Sequence, residues 1–192
     1  IGVDLPDTSR KTRDILYARG VVNVLDTLHI FINHWPSKFG GERVSRPARE
    51  AAALALKRVC DSLLCVNNRA NIIVAGDFND TPDSDIMRSL KGLVNLAGRR
   101  HERGEGTIKY RGVWELIDQI LVSRNLLDKD EPLFTDESLF SIFDAPFLLE
   151  RDRAFTGFKP RRTYVGPRYN GGVSDHLPVR VLIYFYTFAA CM

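Results

Sequence analysis

A short apolar run near the middle of the chain, Asn71 to Gly76 (NIIVAG), is followed at once by polar, turn-forming residues. Its length and β-branched content are typical of a strand buried on both faces. The clearest helix precedes it, from about residue 46 to 66, rich in alanine and leucine, with Ser45 as the expected N-cap. The chain as a whole combines strands with few helices. This pattern predicts a mixed α/β fold in which sheets pack together with helices outside.

The remaining segments are assigned from their composition. Those typical of strands are residues 14–19, 25–33, 107–110, 114–122, 162–165 and 177–188. A short helix is expected after Asp83, residues 92–106 are expected to form a loop, and residues 124–160 a long excursion with short helical turns. The 192 residues suffice for one compact unit, so we expect a single domain over 1–192.

Composition excludes some classes of protein and leaves others open. Apolar residues make up 44% and charged residues 27%, without the signature of wholesale disorder. No apolar segment is long enough to predict a membrane span. The net charge of +3 is small, but the basic residues form two stretches. These are Arg99, Arg100, Arg103, Lys109 and Arg111, and then Arg151, Arg153, Lys159, Arg161, Arg162 and Arg168. Each stretch is either an ordinary solvated surface or a rim that attracts a polyanion or a phosphorylated ligand.

The first candidate motif is Gly76-Asp77-Phe78-Asn79-Asp80, at the end of the buried run. A strand end offers a rigid backbone beside free loops, which suits a ligand site. If the extended conformation continues through Phe78, the side chains of Asp77 and Asn79 lie on one side of the strand. Asp supplies an acceptor or metal ligand, and Asn both donates and accepts. The alternative is an ordinary Asp/Asn turn.

Three more polar clusters lie at or within apolar strands: Asn33-His34-Trp35-Pro36-Ser37, Asp118 within Trp114 to Val122, and Ser174-Asp175-His176-Leu177-Pro178. By themselves, the histidine clusters are consistent with structural or surface turns. Asp118 is more informative, because it interrupts a row of apolar residues on one strand face. A buried carboxylate without a partner costs several kcal/mol, so we expect it to contact an imidazole, that of His176. The alternative is an Asp at a sheet edge facing water.

Together, in this order, the four clusters resemble the endonuclease/exonuclease/phosphatase (DNase I-like) superfamily. The resemblance extends from about Asp14 to Phe185, and is strongest to bacterial members with an NHWPS segment and an RTYVGPRY-like segment before SDH. It implies a four-layer α/β/β/α sandwich. The chain is expected to be the C-terminal portion of that domain, with the N-terminal part absent.

The resemblance also implies roles for the individual residues. His176 is the general base, oriented by Asp118. Asp77 and Asn79 position the attacking water and the phosphoryl group, and His34 contacts the scissile phosphate.

A divalent metal is implied at Asp175, most often Mg²⁺, with Mn²⁺ or Ca²⁺ as alternatives. The family's early Asn and its Glu metal ligand have no counterpart in this sequence, which begins at Ile1. We therefore expect weak Mg²⁺ affinity, little activity of this chain alone, and self-association through the surface that a missing N-terminal half would leave.

The predicted function is metal-dependent hydrolysis of a phosphodiester by His/Asp-assisted attack of water, in the manner of a nuclease. Two alternatives remain open. One is a phosphatase acting on a small or lipid-linked phosphate, such as an inositol phosphate or sphingomyelin-like substrate. The other is an inactive, truncated binding module. The predicted partners are thus a phosphate-ester substrate, with nucleic acid as the first choice, and no localisation is predicted.

Overall fold

A computed structural model describes residues 1–7, 11–22 and 26–186 of the 192. Strands dominate and helices are few. The longer strands are β1 (Leu16–Val22), β2 (Asp26–His34), β3 (Asn71–Asp77) and β7 (Asp118–Ser123). The short strands are β4 (Leu93–Asn95), β5 (Ile108–Tyr110), β6 (Val113–Glu115), β8 (Leu133–Phe134), β9 (Phe140–Ile142), β10 (Leu149–Arg151), β11 (Phe158–Pro160), β12 (Tyr164–Val165), β13 (Arg168–Tyr169), β14 (Val179–Val181) and β15 (Tyr184–Phe185). The helices are α1 (Glu42–Val66), α2 (Asp85–Arg88) and α3 (Gly98–Glu102), with 3₁₀ turns at Arg124–Leu127, Glu137–Leu139 and Pro146–Leu148.

The centre of the fold is a five-stranded mixed sheet in the order β1-β2-β3-β7-β4. Strands β2 and β3 are parallel and are joined through α1, whereas the other neighbouring pairs are antiparallel. The predicted buried run is thus β3, the middle strand of this sheet. Six short strands further along the chain form the two-stranded ladders β8–β15, β9–β14 and β10–β11, and two further ladders are β5–β6 and β12–β13.

The two faces of the central sheet bury different sets of residues, because alternate side chains of a strand point to opposite faces. One face, including Ile72 and Val74, packs against α1 through Leu56 and its neighbours. The other face, including Ile73 and Ile120, packs against Phe140 and other residues of the later, short strands. The sheet is therefore covered by helix on one side and by strands and turns on the other.

Several predicted boundaries of helices and strands differ from those in the structure. Helix α1 begins at Glu42, so Ser45 lies inside its first turn, where its hydroxyl donates to the carbonyl of Gly41; the N-cap is Gly41. The expected loop 92–106 contains both β4 and α3. The expected strand 114–122 is two strands, since β6 pairs with β5 and β7 pairs with β3 and β4.

The C-terminal segments are also shorter than predicted. The expected strand 162–165 is reduced to β12, and the expected strand 177–188 is divided into β14 and β15. Residues 187 and 188 lie outside the described residues. The excursion over 124–160 contains the expected short helical turns, and it also contributes four short strands. The structure shows a mixed α/β architecture. That this architecture is a four-layer sandwich remains a prediction.

Within the described ranges, no helix is both long enough and apolar enough to cross a membrane.

Candidate active site

Three of the predicted site residues lie in one row across the central sheet. His34, at the end of β2, pairs with Asp77, the last residue of β3, and Asp77 pairs with Asp118, the first residue of β7. Direct partners in a sheet point to the same face. All three side chains therefore belong to the face covered by the short strands, opposite α1. Nε2 of His34 lies 3.6 Å from Oδ2 of Asp77.

His176 joins this row from the loop before β14. Its Nδ1 lies 2.8 Å from Oδ2 of Asp118, and both side chains are largely buried. The backbone supports this contact: the N–H of Asp118 donates to Oγ1 of Thr107, and the N–H of Leu177 donates to the carbonyl oxygen of Thr107. The expected contact between Asp118 and an imidazole is therefore present. Since Nδ1 is engaged by Asp118, Nε2 is the ring nitrogen left for other partners.

Asp77 and Asn79 are brought together by a turn, not by a continuing strand. Strand β3 ends at Asp77, and Asn79 has a left-handed backbone with φ of 50°. Oδ1 of Asp77 accepts from the backbone N–H of Asn79 at 2.8 Å, while the Asn79 amide donates to Oδ2 of Asp77 at 3.0 Å. The extended conformation assumed through Phe78 is thus wrong. The two side chains are neighbours through an Asp turn, the alternative reading of this motif.

The charges at the site perturb two ionisable groups. Burial, followed by the negative charge of Asp118, raises the pKa of Asp77 above its ordinary value. For His176, burial alone favours the neutral ring, but the hydrogen bond that the ring donates to Asp118 and the charges of the surrounding carboxylates outweigh it and raise the pKa. The site therefore holds a protonatable imidazole beside two crowded carboxylates, which is a common arrangement at functional sites.

The donor set is suited to a cation. One ligand atom each of Asp77, Asp118 and His176 lies within 4.8 Å of the other two. Burial and the negative charge of Asp118 raise the pKa of Asp77, and a bound cation would counter both effects by stabilising the ionised carboxylate. Asp175, the residue expected to hold the metal, is exposed beside His176 and lies outside this cluster. In the structure, the negative charge of Asp175 helps to raise the pKa of His176. Its role as a metal ligand stays a prediction.

Several residues that support the site were not predicted. Gly76 has φ of 137°, and a Cβ there would lie 2.0 Å from the carbonyl oxygen of Asn33 on the adjacent strand. The buried side chain of Asn33 accepts from Nε1 of Trp35, and the carbonyl oxygen of Trp35 accepts from the Asn79 amide at 3.0 Å. The glycine before Asp77 and the polar residue before His34 were visible in the sequence, but their contacts depend on strand pairing.

A second network, of buried hydrogen bonds and ion pairs, holds the loop that follows β3. The fully buried guanidinium of Arg49, on α1, lies 3.3 Å from Oδ2 of Asp80 and also donates to Ser45 and Glu42. The buried amide of Gln119 donates to the carbonyl oxygen of Asp80 at 2.6 Å. These contacts tie the loop that carries Asn79 to both α1 and β7. Arg49 is one of four arginines in α1, and nothing in the sequence indicated that it is the buried one.

A turn-bound Asp–Asn pair and a carboxylate–histidine pair, gathered at the end of a mixed sheet, define a site suited to hydrolysis. Comparison with protein families gives a match over residues 2–185 to the endonuclease/exonuclease/phosphatase family. The chain therefore belongs to that family. A comparison with curated proteins found no significant match.

Several solved structures are similar to this chain in fold. Truncated TDP2 from Caenorhabditis elegans superposes with a TM-score of 0.55 and 15% identity, covering 97% of this chain and 64% of that one. Humanised TDP2 from D. rerio gives a TM-score of 0.50 and 15% identity, covering 86% and 58%. The mannosyl-6-phosphatase Bt3783 from Bacteroides thetaiotaomicron gives 0.46 and 18% identity, covering 83% and 51%. The chain thus spans between half and two thirds of the length of these relatives.

Proposed function

We propose that this protein is a metal-dependent phosphoesterase that hydrolyses a phosphodiester by attack of water. The observation that carries the proposal is the contact of His176 with Asp118, 2.8 Å long, beside a second carboxylate at Asp77. A carboxylate that orients an imidazole stabilises the imidazolium formed when the ring takes a proton. The family match supports phosphate-ester hydrolysis as the reaction class.

His176 is assigned to the proton. As water attacks phosphorus, its proton passes to Nε2 of His176, because Nδ1 is held by Asp118. The bond between phosphorus and the leaving oxygen then breaks; the leaving oxygen takes a proton from solvent water, and the imidazolium returns its proton to solvent. A raised pKa of His176 makes its neutral form a stronger base.

The remaining residues are assigned to binding and orientation. The Asn79 amide donates to Asp77 and to the Trp35 carbonyl oxygen, so its two N–H groups are engaged and its Oδ1 is fixed to accept from the attacking water. His34 has a half-exposed side chain in register with Asp77, which suits contact with the scissile phosphate. Groups fixed in advance cost little reorganisation when charge develops in the transition state.

The cation is assigned to the carboxylates. A cation on the free nitrogen of His176 would occupy the position that the general base needs. Asp77 is therefore the first candidate ligand, together with Asp175 as the resemblance implies. Oxygen ligands suit Mg²⁺, with Mn²⁺ or Ca²⁺ as alternatives. A bound divalent ion supplies neutralisation of the charge that develops on the phosphoryl oxygens.

The decisive experiment is a substrate panel with the full chain. Single-stranded DNA, RNA, an inositol phosphate, sphingomyelin and a small phosphomonoester are each incubated with Mg²⁺, Mn²⁺ or Ca²⁺, and with a chelator. With Mg²⁺ we expect turnover of a nucleic-acid phosphodiester and loss of that turnover on chelation. The turnover should be slow, in keeping with the weak Mg²⁺ affinity and low activity expected from the sequence. Preference for the phosphomonoester, inositol phosphate or sphingomyelin would favour the phosphatase-type alternative. No turnover under any condition, with a folded protein, would favour the binding module.

A further inference from the structure

A basic cavity lies among the short strands of the C-terminal half. Its volume is about 360 Å³, and the residues that line it come from β10, β11, β12, β13 and the adjoining loops. Four of the lining side chains are cationic and one is a carboxylate: Arg151, Arg153, Lys159, Arg168 and Glu150. None of these residues belongs to the site around Asp77. The cavity combines concavity with an excess of positive charge, which focuses the potential felt by an anion.

The single carboxylate is already compensated. Nζ of Lys159 lies 3.6 Å from Oε1 of Glu150, and the side-chain amide of Asn170 donates to Oε2 of Glu150 at 3.0 Å. In the part of the chain that the structure describes, no carboxylate lies within 4.0 Å of the other three cations of the cavity. Arg151, Arg153 and Arg168 are also exposed. Their charges are therefore available to a ligand.

The first basic stretch of the sequence behaves differently. Arg99 lies 2.8 Å from Glu137, and Arg100 lies 3.0 Å from Glu105. Lys109 is buried against Asp152 at 3.3 Å and also donates to the carbonyl oxygens of Thr156 and Phe158. Three cations of that stretch thus serve internal ion pairs. The two stretches looked alike in sequence, but the second one keeps uncompensated charge around a cavity.

Backbone hydrogen bonds connect the cavity to the loop that carries His176. The N–H of Val173 donates to the carbonyl oxygen of Arg161, and Oγ1 of Thr163 donates to the carbonyl oxygen of Val173. Val173 precedes His176 by three residues, so their Cα atoms are at most about 11 Å apart even in a fully extended chain. The segment between β11 and β12, which adjoins the cavity, is therefore hydrogen-bonded to the loop that carries His176.

An exposed aromatic ring lies next to one of the cavity arginines. Phe158 is the direct partner of Arg151 in the β10–β11 ladder, so both side chains share a face, and Phe158 is 58% exposed. Arginines that contact phosphates, together with an aromatic face on which a base stacks, are the usual means of binding an unpaired nucleic-acid strand. A small phosphomonoester without an aromatic group would leave this ring without a stacking partner.

We infer that this basic cavity binds the backbone of a single-stranded nucleic acid, with Phe158 stacked on a base and the scissile phosphate directed to the Asp77–His176 site. The inference rests on the proposed function, because it specifies the substrate class of that site. The cavity contributes affinity through at least two backbone phosphates and contributes little to base identity.

The test measures binding separately from catalysis. The full chain carrying His176→Ala is mixed, in chelator, with a fluorescein-labelled oligothymidylate of about twelve nucleotides, and anisotropy is read. The triple change Arg151→Gln/Arg153→Gln/Arg168→Gln should weaken binding at least about tenfold and reduce the slope of log affinity against log salt by about 2, since each lost phosphate contact removes about 0.7. Phe158→Ala should weaken binding at least about fivefold, and Phe158→Tyr should restore it.

Matched controls remove the same charge and the same ring elsewhere. Arg43→Gln/Arg58→Gln/Arg88→Gln removes three exposed arginines from the helical side of the sheet, and Phe185→Ala removes an exposed ring on β15. Both should bind as the parent does. The inference would be overturned if the control triple weakened oligonucleotide binding as much as the cavity triple does. It would also be overturned if phosphatidylserine vesicles, added as competitor, bound more tightly than the oligonucleotide and displaced it. Strong binding of the oligonucleotide without turnover of any substrate in the panel would contradict the proposed function but not the binding of nucleic acid at the cavity.

Discussion

The carboxylate of Asp118 lies 2.8 Å from Nδ1 of His176, although 58 residues separate the two along the chain. The same Asp118 is the register partner of Asp77 in the central sheet. One aspartate at the start of β7 thus joins the sheet to the histidine loop. The consequences of this arrangement for activity, ionisation and stability can be measured.

Replacement of His176 by Ala should lower turnover of the preferred substrate at least about 10²-fold, the usual scale for losing a general base. The reason is that no other imidazole contacts Asp118 in the described part of the chain. His101→Ala is the matched control, because His101 pairs with Asp83 at 3.0 Å, outside the site. Steady-state kinetics checks the prediction. Near-normal turnover of His176→Ala with an unchanged circular dichroism spectrum would show that the base is another group.

The pKa of His176 should exceed 6.5, its ordinary value, in the metal-free protein. Asp118→Asn should lower it, since the hydrogen bond and the nearest negative charge are the main causes that raise it. A folded-state pKa above the unfolded value means that His176 adds stability below about pH 6.5, and that this contribution is lost as pH rises through the folded pKa. Histidine NMR titration of both proteins in chelator measures the shift, and a higher pKa in Asp118→Asn would contradict the assigned pair.

Gly76→Ala should lower the free energy of unfolding by at least about 3 kcal/mol, because both the backbone conformation and the space forbid a side chain. The added Cβ would lie 2.0 Å from the Asn33 carbonyl oxygen, at φ of 137°. Gly20→Ala, in β1 of the same sheet, has no atom within 4 Å of its added Cβ and serves as the control. Urea denaturation compares the two. Equal stability of both variants would mean that β2 and β3 are less closely packed here.

Arg49→Met should destabilise the protein by about 3–5 kcal/mol, because it leaves the buried carboxylate of Asp80 with only the more distant ammonium of Lys38, 4.0 Å away. Adding Asp80→Asn should recover part of the loss, since the remaining group is then uncharged. Arg43→Met, an exposed change on the same helix, should stay within about 0.5 kcal/mol of the parent. Urea denaturation of the parent, Arg49→Met, Asp80→Asn and the double variant forms the cycle. No recovery in the double variant would show that Arg49 acts through Glu42 and Ser45 instead.

The sequence was sufficient to predict the elements whose signal is local. The apolar run that forms β3 and the long helix α1 follow from composition and period. The pairing of Asp118 with His176 followed from the cost of an unpaired carboxylate. In contrast, the left-handed turn at Asn79 and the burial of Arg49 depend on neighbours distant in sequence. Strands of two or three residues, such as β8, carry no period to detect.

The edge of the central sheet formed by β1 is expected to mediate self-association. Strand β1 is the outermost strand of the central sheet as described, and Leu16 and Ile32, direct partners in its ladder with β2, are 64% and 44% exposed. An apolar face beside a free strand edge invites pairing with a second chain. We therefore expect the 192-residue chain to form dimers or larger species at micromolar concentration. Multi-angle light scattering should show a shift toward monomer for Leu16→Thr/Ile32→Thr, which keeps strand-forming residues, while Phe39→Ser, at a 92% exposed loop position, should leave the mass unchanged. A parent chain that is monomeric over the whole concentration range would show that this face needs no protein cover.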